Sequence, residues 1–291
     1  MAAVQTQVSW SQPWHSQVYR GLVCNPLMSE IWSDRTPLHE AALHGRLLHL
    51  RSLIARGFHV NTLTLDGVSP LHEACLRGHY ACAKFLVDHG ANVNVTTTDG
   101  ATPLFYSCRS GSAACVRLLL DHQASIRISH HLTSPVHEAA GKDHRECLEL
   151  LLSHGAEVDL ELPAVGTPLY SACKGSAAAC VDLLLHLGAD VRLGCGLETP
   201  LHAATGAGDP SLVDLLLEFG AGECCKNADG KTPLGLTQPN TAVRAALQSR
   251  GPGSLFQLCR LGIRRSLGRS RFQKASSLFL PDSITDFILY R

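Results

Sequence analysis

One segment recurs seven times along this chain of 291 residues, and that periodicity constrains the fold more than any other feature. The copies open at Thr36-Pro37-Leu38, Ser69-Pro70-Leu71, Thr102-Pro103-Leu104, Ser134-Pro135-Val136, Thr167-Pro168-Leu169, Thr199-Pro200-Leu201 and Thr232-Pro233-Leu234. The steps between them are 33, 33, 32, 33, 32 and 33 residues. A unit this short cannot bury its own apolar face, so neighbours must stack and share one continuous core. The chain is expected to form an all-α repeat solenoid of helix pairs with short β-hairpin connections.

The chemistry inside each unit supports that reading. Ser or Thr caps a helix N-terminus, and Pro follows at the first helical position, where its missing N–H costs nothing. The first helix stops near a glycine such as Gly45, Gly78 or Gly111. A second helix is expected over 47–56, 80–89 and 113–122 in the first three units, with runs such as Leu118-Leu119-Leu120 in its apolar face. Gly57, Gly90, Gly155, Gly188 and Gly220 stand where a left-handed cap is wanted. The third unit has Gln123 there, which predicts a local weak point, because a side chain at positive φ is penalised. An extended stretch such as Ala91-Asn92-Val93-Asn94 and a turn such as Asp99-Gly100 lead into the next unit.

The Thr-Pro-Leu-His-x-Ala signature at this period resembles the ankyrin family. On this reading residues 1–33 are a non-repeat arm, 34–250 the ankyrin repeats and 251–291 a different object. Aromatics are only 5% of the chain, so the core must be filled by small and aliphatic side chains, which suits thin, closely packed helices. The 25 basic and 25 acidic residues cancel, and no overall field draws the chain to nucleic acid or membrane. No run is long enough to span a bilayer, and the N-terminus lacks the layout of a signal peptide.

The 12 cysteines do not suggest a disulfide framework or a zinc site. Cys82, Cys115, Cys147 and Cys180 recur with the repeat, as do Cys75, Cys108 and Cys173, and no C-x-x-C pair exists. Residues locked to the repeat phase act as small buried hydrophobes, which implies a reducing, intracellular home, cytoplasmic with the nucleus left open. His39, His72, His137 and His202 occur once per repeat, too far apart to form one site, and are expected to hydrogen-bond between neighbouring turns. No metal site, cofactor site or catalytic set stands out, so the chain is not expected to be an enzyme.

The tail reads differently. After Gly251-Pro252-Gly253, Leu255, Leu258, Cys259, Gly262 or Ile263 and Leu267 form one apolar stripe on a helix that Ser254 caps. Arg260, Arg264 and Arg265 face elsewhere, and a second helical spacing runs through Ile284 and Ile288. From Arg250 to Lys274 the tail holds basic residues and no acidic one, explained as a solvated helix face or as charge pairing with an acidic partner. Nucleic acid is the less favoured explanation.

This order of residues resembles a SOCS box, with an elongin-binding segment at Ser254, Leu255, Cys259 and Ile263. Leu280-Pro281 resembles the start of a cullin-binding box, with Ser283 in place of its usual second proline. The whole chain thus resembles the ankyrin-repeat and SOCS-box family. The resemblance implies a non-catalytic substrate receptor for an elongin B/C–cullin-5 ubiquitin ligase. Leu255, Leu258, Cys259 and Ile263 would then meet elongin C, while Leu280, Pro281 and Ile284 would meet the cullin, which works with a RING-box protein. The other possibility is a plain ankyrin scaffold or inhibitor whose tail only caps the solenoid.

A target would lie along the concave face, against the exposed side of the first helices and the hairpin tips. Candidate residues there are Asp66, Arg77, Asp99, Arg109 and Glu198. All three tryptophans, Trp10, Trp14 and Trp32, fall in the arm with Tyr19, Leu27 and Met28. That arm either orders on a target, with Trp32 among its contacts, or covers the first repeat. Asn61 and Asn94 sit in Val-Asn segments that resemble sites of asparagine hydroxylation in ankyrin proteins, though Asn also simply suits a hairpin.

Overall fold

The computed structural model describes residues 34–126, 134–239, 241–249, 254–272 and 281–289. Seven helix pairs follow one another. The first helices are α1 (Pro37–Leu43), α3 (Pro70–Leu76), α5 (Pro103–Ser110), α7 (Pro135–Gly141), α9 (Pro168–Lys174), α11 (Pro200–Ala207) and α13 (Pro233–Leu236). Their partners are α2 (Leu47–Ala55), α4 (Tyr80–Asp88), α6 (Ala113–Asp121), α8 (Arg145–Ser153), α10 (Ala178–His186), α12 (Pro210–Glu218) and α14 (Ala242–Ser249). Two tail helices follow, α15 (Leu255–Phe272) and α16 (Asp282–Leu289).

Each first helix begins where the Ser/Thr-Pro pair places it. Ser69 accepts the N–H of His72, and Thr102 and Thr167 do the same for Phe105 and Tyr170. These bonds satisfy donors that the first turn leaves open. The core is a single column through the stack. Leu38, Leu71, Leu104, Leu169 and Leu201 are buried in the first helices, as are Leu86, Leu119, Leu151, Leu184 and Leu216 in the second. The phased cysteines, Cys82, Cys115, Cys147 and Cys180, fill the same column. Burial pushes the Cys147 thiol up to about 11 and the Cys180 thiol to about 12, so both stay protonated and apolar at neutral pH.

Side chains stitch the stack together across repeats. In the first of them the backbone N–H and hydroxyl of Thr36 lie 3.2 and 2.9 Å from Nδ1 of His39. An Nδ1 that accepts leaves the proton on Nε2, which donates to the Val68 carbonyl at 3.0 Å. His72, His137 and His202 reach the carbonyls of Ala101, Gly166 and Lys231 in the same way. The inter-turn role expected for these histidines is therefore met. A second stitch uses asparagine: the Asn61 amide donates to Gly90 O at 3.0 Å and accepts the Asn92 N–H at 2.8 Å.

The hairpin tips close through backbone hydrogen bonds across the turn, as where Thr97 N–H donates to Ala101 O at 2.9 Å and Gly100 N–H to Thr97 O at 2.8 Å. Among the described residues the β-structure of these connections amounts to isolated bridges, Leu162 with Gly166 and Cys195 with Glu198. Gln123 does occupy the left-handed region, at φ +61°. Asp143 and Ser176, at φ +59° and +54°, share that conformation one loop earlier in their own repeats.

Candidate functional site

The face that α15 turns toward the array is its polar one. The Gln257 amide donates to Leu217 O at 3.1 Å, which also accepts the Gly220 N–H, and to Glu218 O at 3.0 Å, both at the end of α12. Arg264 donates to Leu185 O at 2.6 Å, near the end of α10, and to Ile288 O of α16 at 3.0 Å. Cations and amide donors belong at helix C-termini, where the macrodipole is negative. Arg260 lies 3.9 Å from the Glu218 carboxylate and 5.1 and 4.8 Å from the ring centres of Phe256 and Phe287. Its side chain is only 14% exposed. Leu261 lies over Gly220, where a Cβ would stand 2.8 Å from its methyl carbon. These contacts fall at Gln257, Arg260, Leu261 and Arg264, one face at helical spacing.

Two residues along a helix is a 200° rotation, so the stripe through Leu255, Leu258, Cys259 and Gly262 points the other way. Leu255 is 78% exposed, Leu258 57%, and Cys259 is exposed as well. Ile263 lies at the flank, partly buried. An amphipathic helix that packs on its own domain buries its apolar side; here that side is bare. Nor does α15 simply plug the end of the stack. Its anchors are on the second helices of repeats five and six, while α14 packs on α12 through the buried Val243 and Leu247. This corrects the expectation that the tail arginines are solvated or kept for an external acid: Arg260 and Arg264 form the docking face.

α16 is tied in through Ile288, which is buried, and Phe287, whose ring meets Phe256 edge-on at 4.3 Å. Pro281 and Ser283 are exposed, and Ile284 is 42% exposed. Leu280 and Trp32, with the other aromatics of the arm, lie outside the described residues.

Of the residues expected to meet a target, Asp66 and Asp99 stand exposed at hairpin tips, and Arg77 and Arg109 are exposed at the ends of α3 and α5. Glu198 is held from the side by the Tyr170 hydroxyl, which donates to it at 2.6 Å. Glu73 of α3 is buried, with the Arg35 guanidinium 3.0 Å away. Burial raises the Glu73 carboxyl above its ordinary range, and Arg35 offsets part of that rise. Asn94, like Asn61, is engaged with the next repeat, donating to Gln123 O at 3.3 Å and accepting Ser125 N–H at 2.7 Å. Reading the sequence missed Lys142 and Lys174, exposed at the ends of α7 and α9. Counted from the Ser/Thr that opens each repeat, Lys142 takes the position of Arg77 and Lys174 that of Arg109, one residue earlier. Among the described residues, no cluster of His, Cys, Asp and Glu could hold a metal ion, and no helix is long and apolar enough to cross a membrane.

Comparison with known proteins gives matches over both parts. A family model described as ankyrin repeats (3 copies) matches residues 15–97, 89–162, 133–195 and 169–237, and one described as SOCS box matches 251–289. Ankyrin repeat and SOCS box protein 11 of Danio rerio is 54% identical over 293 residues, covering 100% of each chain. Its Homo sapiens counterpart is 52% identical over 276 residues, covering 94% of this chain and 84% of that one. The crystal structure of the human ASB11 ankyrin repeat domain superposes with a TM-score of 0.73 at 51% identity, covering 76% of this chain and 100% of that one.

Proposed function

Since the chain belongs to the ankyrin-repeat and SOCS-box family, we propose that it is the substrate receptor of an elongin B/C–cullin-5 ubiquitin ligase. In this reading the array holds a target protein and α15 holds elongin C. The receptor itself does no chemistry. A RING-box protein on the cullin brings the charged conjugating enzyme, and ubiquitin passes to a lysine of the target, marking it for the proteasome. The receptor contributes proximity, which replaces a bimolecular encounter by a high effective concentration.

The observation that carries the reading is the inverted amphipathicity of α15. Leu255, Leu258 and Cys259 are held outward by a polar face that is itself fastened to α10 and α12. Full burial of one leucine is worth about 1.5–3 kcal/mol, so a bare row of this kind suits a groove on a partner. Ile263 completes the row at its flank. Pro281 and Ile284 are the cullin contacts of this reading, together with Leu280, and Ser283 in place of the second proline is the feature that bears on which cullin is used. The test is co-purification of the full chain with elongins B and C. Retention of elongin C that is lost in Leu255→Asp and Cys259→Asp, with the melting temperature unchanged, supports the reading. A wild-type chain that does not retain elongin C removes it.

A further inference from the structure

The first helices of repeats two to five each end in one exposed cation: Arg77, Arg109, Lys142 and Lys174. Among the described residues none of the four lies within ion-pair distance of a carboxylate. The same helices carry two carboxylates. Glu73 is buried beside Arg35, and Glu138 is partly buried. A cation near a helix C-terminus gains about 0.3–1 kcal/mol from the helix dipole, but the fold does not require it. The corresponding turn of repeat one holds Leu43 and His44, and that of repeat six holds Gly206 and Ala207.

The spacing of this row is set by the stack. Packed helices lie about 8–10 Å apart, and an extended chain in the polyproline II form rises about 3.1 Å per residue with three residues per turn, so every third side chain falls on one edge. A carboxylate at every third residue of an extended peptide would therefore meet one cation per repeat. At repeats two and three the row is bordered, at the far end of the first helices, by exposed acids at the hairpin tips, Asp66 and Asp99. The separation is one short helix, about 10–12 Å at 1.5 Å per residue. A uniformly charged polyanion such as nucleic acid would be repelled along that border. A peptide with acids on one edge would not.

We infer that the inner face of repeats two to five takes an extended acidic segment of the target, with carboxylates at about every third residue. This rests on the proposal that the array is the target-binding half of the receptor.

The test uses the full chain and a labelled peptide of repeated Glu-Gly-Ser triplets, read by fluorescence anisotropy at low and at physiological salt. A Lys-Gly-Ser version and an oligothymidylate of equal length serve as competitors. The Glu peptide is expected to bind at least about tenfold more tightly than the Lys peptide. Arg77→Gln, Arg109→Gln, Lys142→Gln and Lys174→Gln should each weaken it severalfold, and together abolish the preference. Lys84→Gln and Arg117→Gln, exposed on the second helices, should leave it unchanged. Equal binding of the two peptides, wild-type binding by the combined variant, or displacement by the oligothymidylate at lower concentration would each overturn the inference. If the combined variant melts early, the single variants decide. Elongin C retention is measured on the same samples. Lost peptide preference with elongin C retained sinks only this inference, whereas failure of the wild type to retain elongin C sinks the receptor reading.

Discussion

Arg264 donates to the carbonyl of Leu185 at 2.6 Å across 79 positions of sequence, fastening the tail helix to the second helix of repeat five. The same guanidinium donates to Ile288 O, so one side chain ties the array, α15 and α16 together. Removing it leaves carbonyls near two helix ends without this donor, and a hydrogen bond to a charged group contributes about 1.5–3 kcal/mol. Arg264→Ala is therefore expected to free the tail without unfolding the array. Amide exchange over residues 255–272 should rise at least tenfold while that of α3 to α8 stays constant. Elongin C retention should persist, because the stripe through Leu255 and Cys259 is on the opposite face. Unchanged exchange in the tail would show that the clamp is dispensable.

Gln123 is expected to be the cheapest site to stabilise. Its φ of +61° lies where an L side chain is strained by about 1–2 kcal/mol, and its contact with Asn94 is through its carbonyl, which glycine keeps. Gln123→Gly should raise stability by about 0.5–1 kcal/mol, read as a higher urea midpoint. Asp143 has the same conformation but its carboxylate accepts the Cys180 N–H at 2.9 Å. Asp143→Gly loses that cap and should gain nothing. A gain in both variants would mean that the cap is worthless; a gain in neither would mean that the strain is.

Acid should weaken the array through its histidines. Burial lowers the folded-state value of His72 from 6.5 to about 4, against which its bonds to backbone carbonyls act only in part. His39 and His137 shift the same way for the same reason. Between these limits the unfolded chain binds more protons than the folded one, so stability is intact above pH 6.5 and declines as the pH falls toward 4. For His72 the ceiling is about 3 kcal/mol. Glu73, whose folded-state value is raised, works in the opposite direction and softens the slope at its acid end. Urea midpoints across this window should drop with pH in the wild type. His72→Phe, a residue the third repeat already carries as Phe105, should be less stable at neutral pH and show a shallower slope. An equal slope in that variant would assign the acid sensitivity elsewhere.

The stack was legible because each repeat states its own boundaries. Thr36, Pro37 and Leu38 fix a cap, a first turn and a core residue within three positions, and six further copies repeat the statement. Gln123 was legible for the same reason, since it interrupts a column of glycines. Asp143 and Ser176 interrupt a second column, through Gly45, Gly78 and Gly111, and only alignment of all repeats exposes that. The orientation of α15 could not be read locally. Its apolar stripe was plain, but which face meets the array depends on the helix-end carbonyls of Leu185, Leu217 and Glu218, whose positions only the folded stack defines. The helix-end cations share that difficulty: Lys142 and Lys174 are ordinary surface residues until the repeats set them at the ends of successive first helices.

Thiol reactivity offers a direct reading of the docking face. Cys75, Cys82, Cys108, Cys115, Cys147, Cys173 and Cys180 are buried in the column, and among the described cysteines Cys224 and Cys259 are exposed. Alkylation under native conditions should modify Cys224 and Cys259 within minutes and leave the column untouched until the array unfolds, since a thiol must be both reachable and ionised to react. Elongins B and C, added first, should then shield Cys259 and leave Cys224 as reactive as before, because Cys224 lies in the loop after α12 and outside the stripe. Peptide mapping by mass spectrometry distinguishes the two sites. If Cys259 remains as reactive in the presence of both elongins as in their absence, the partner does not seat on this face of α15. The outward stripe would then need another occupant.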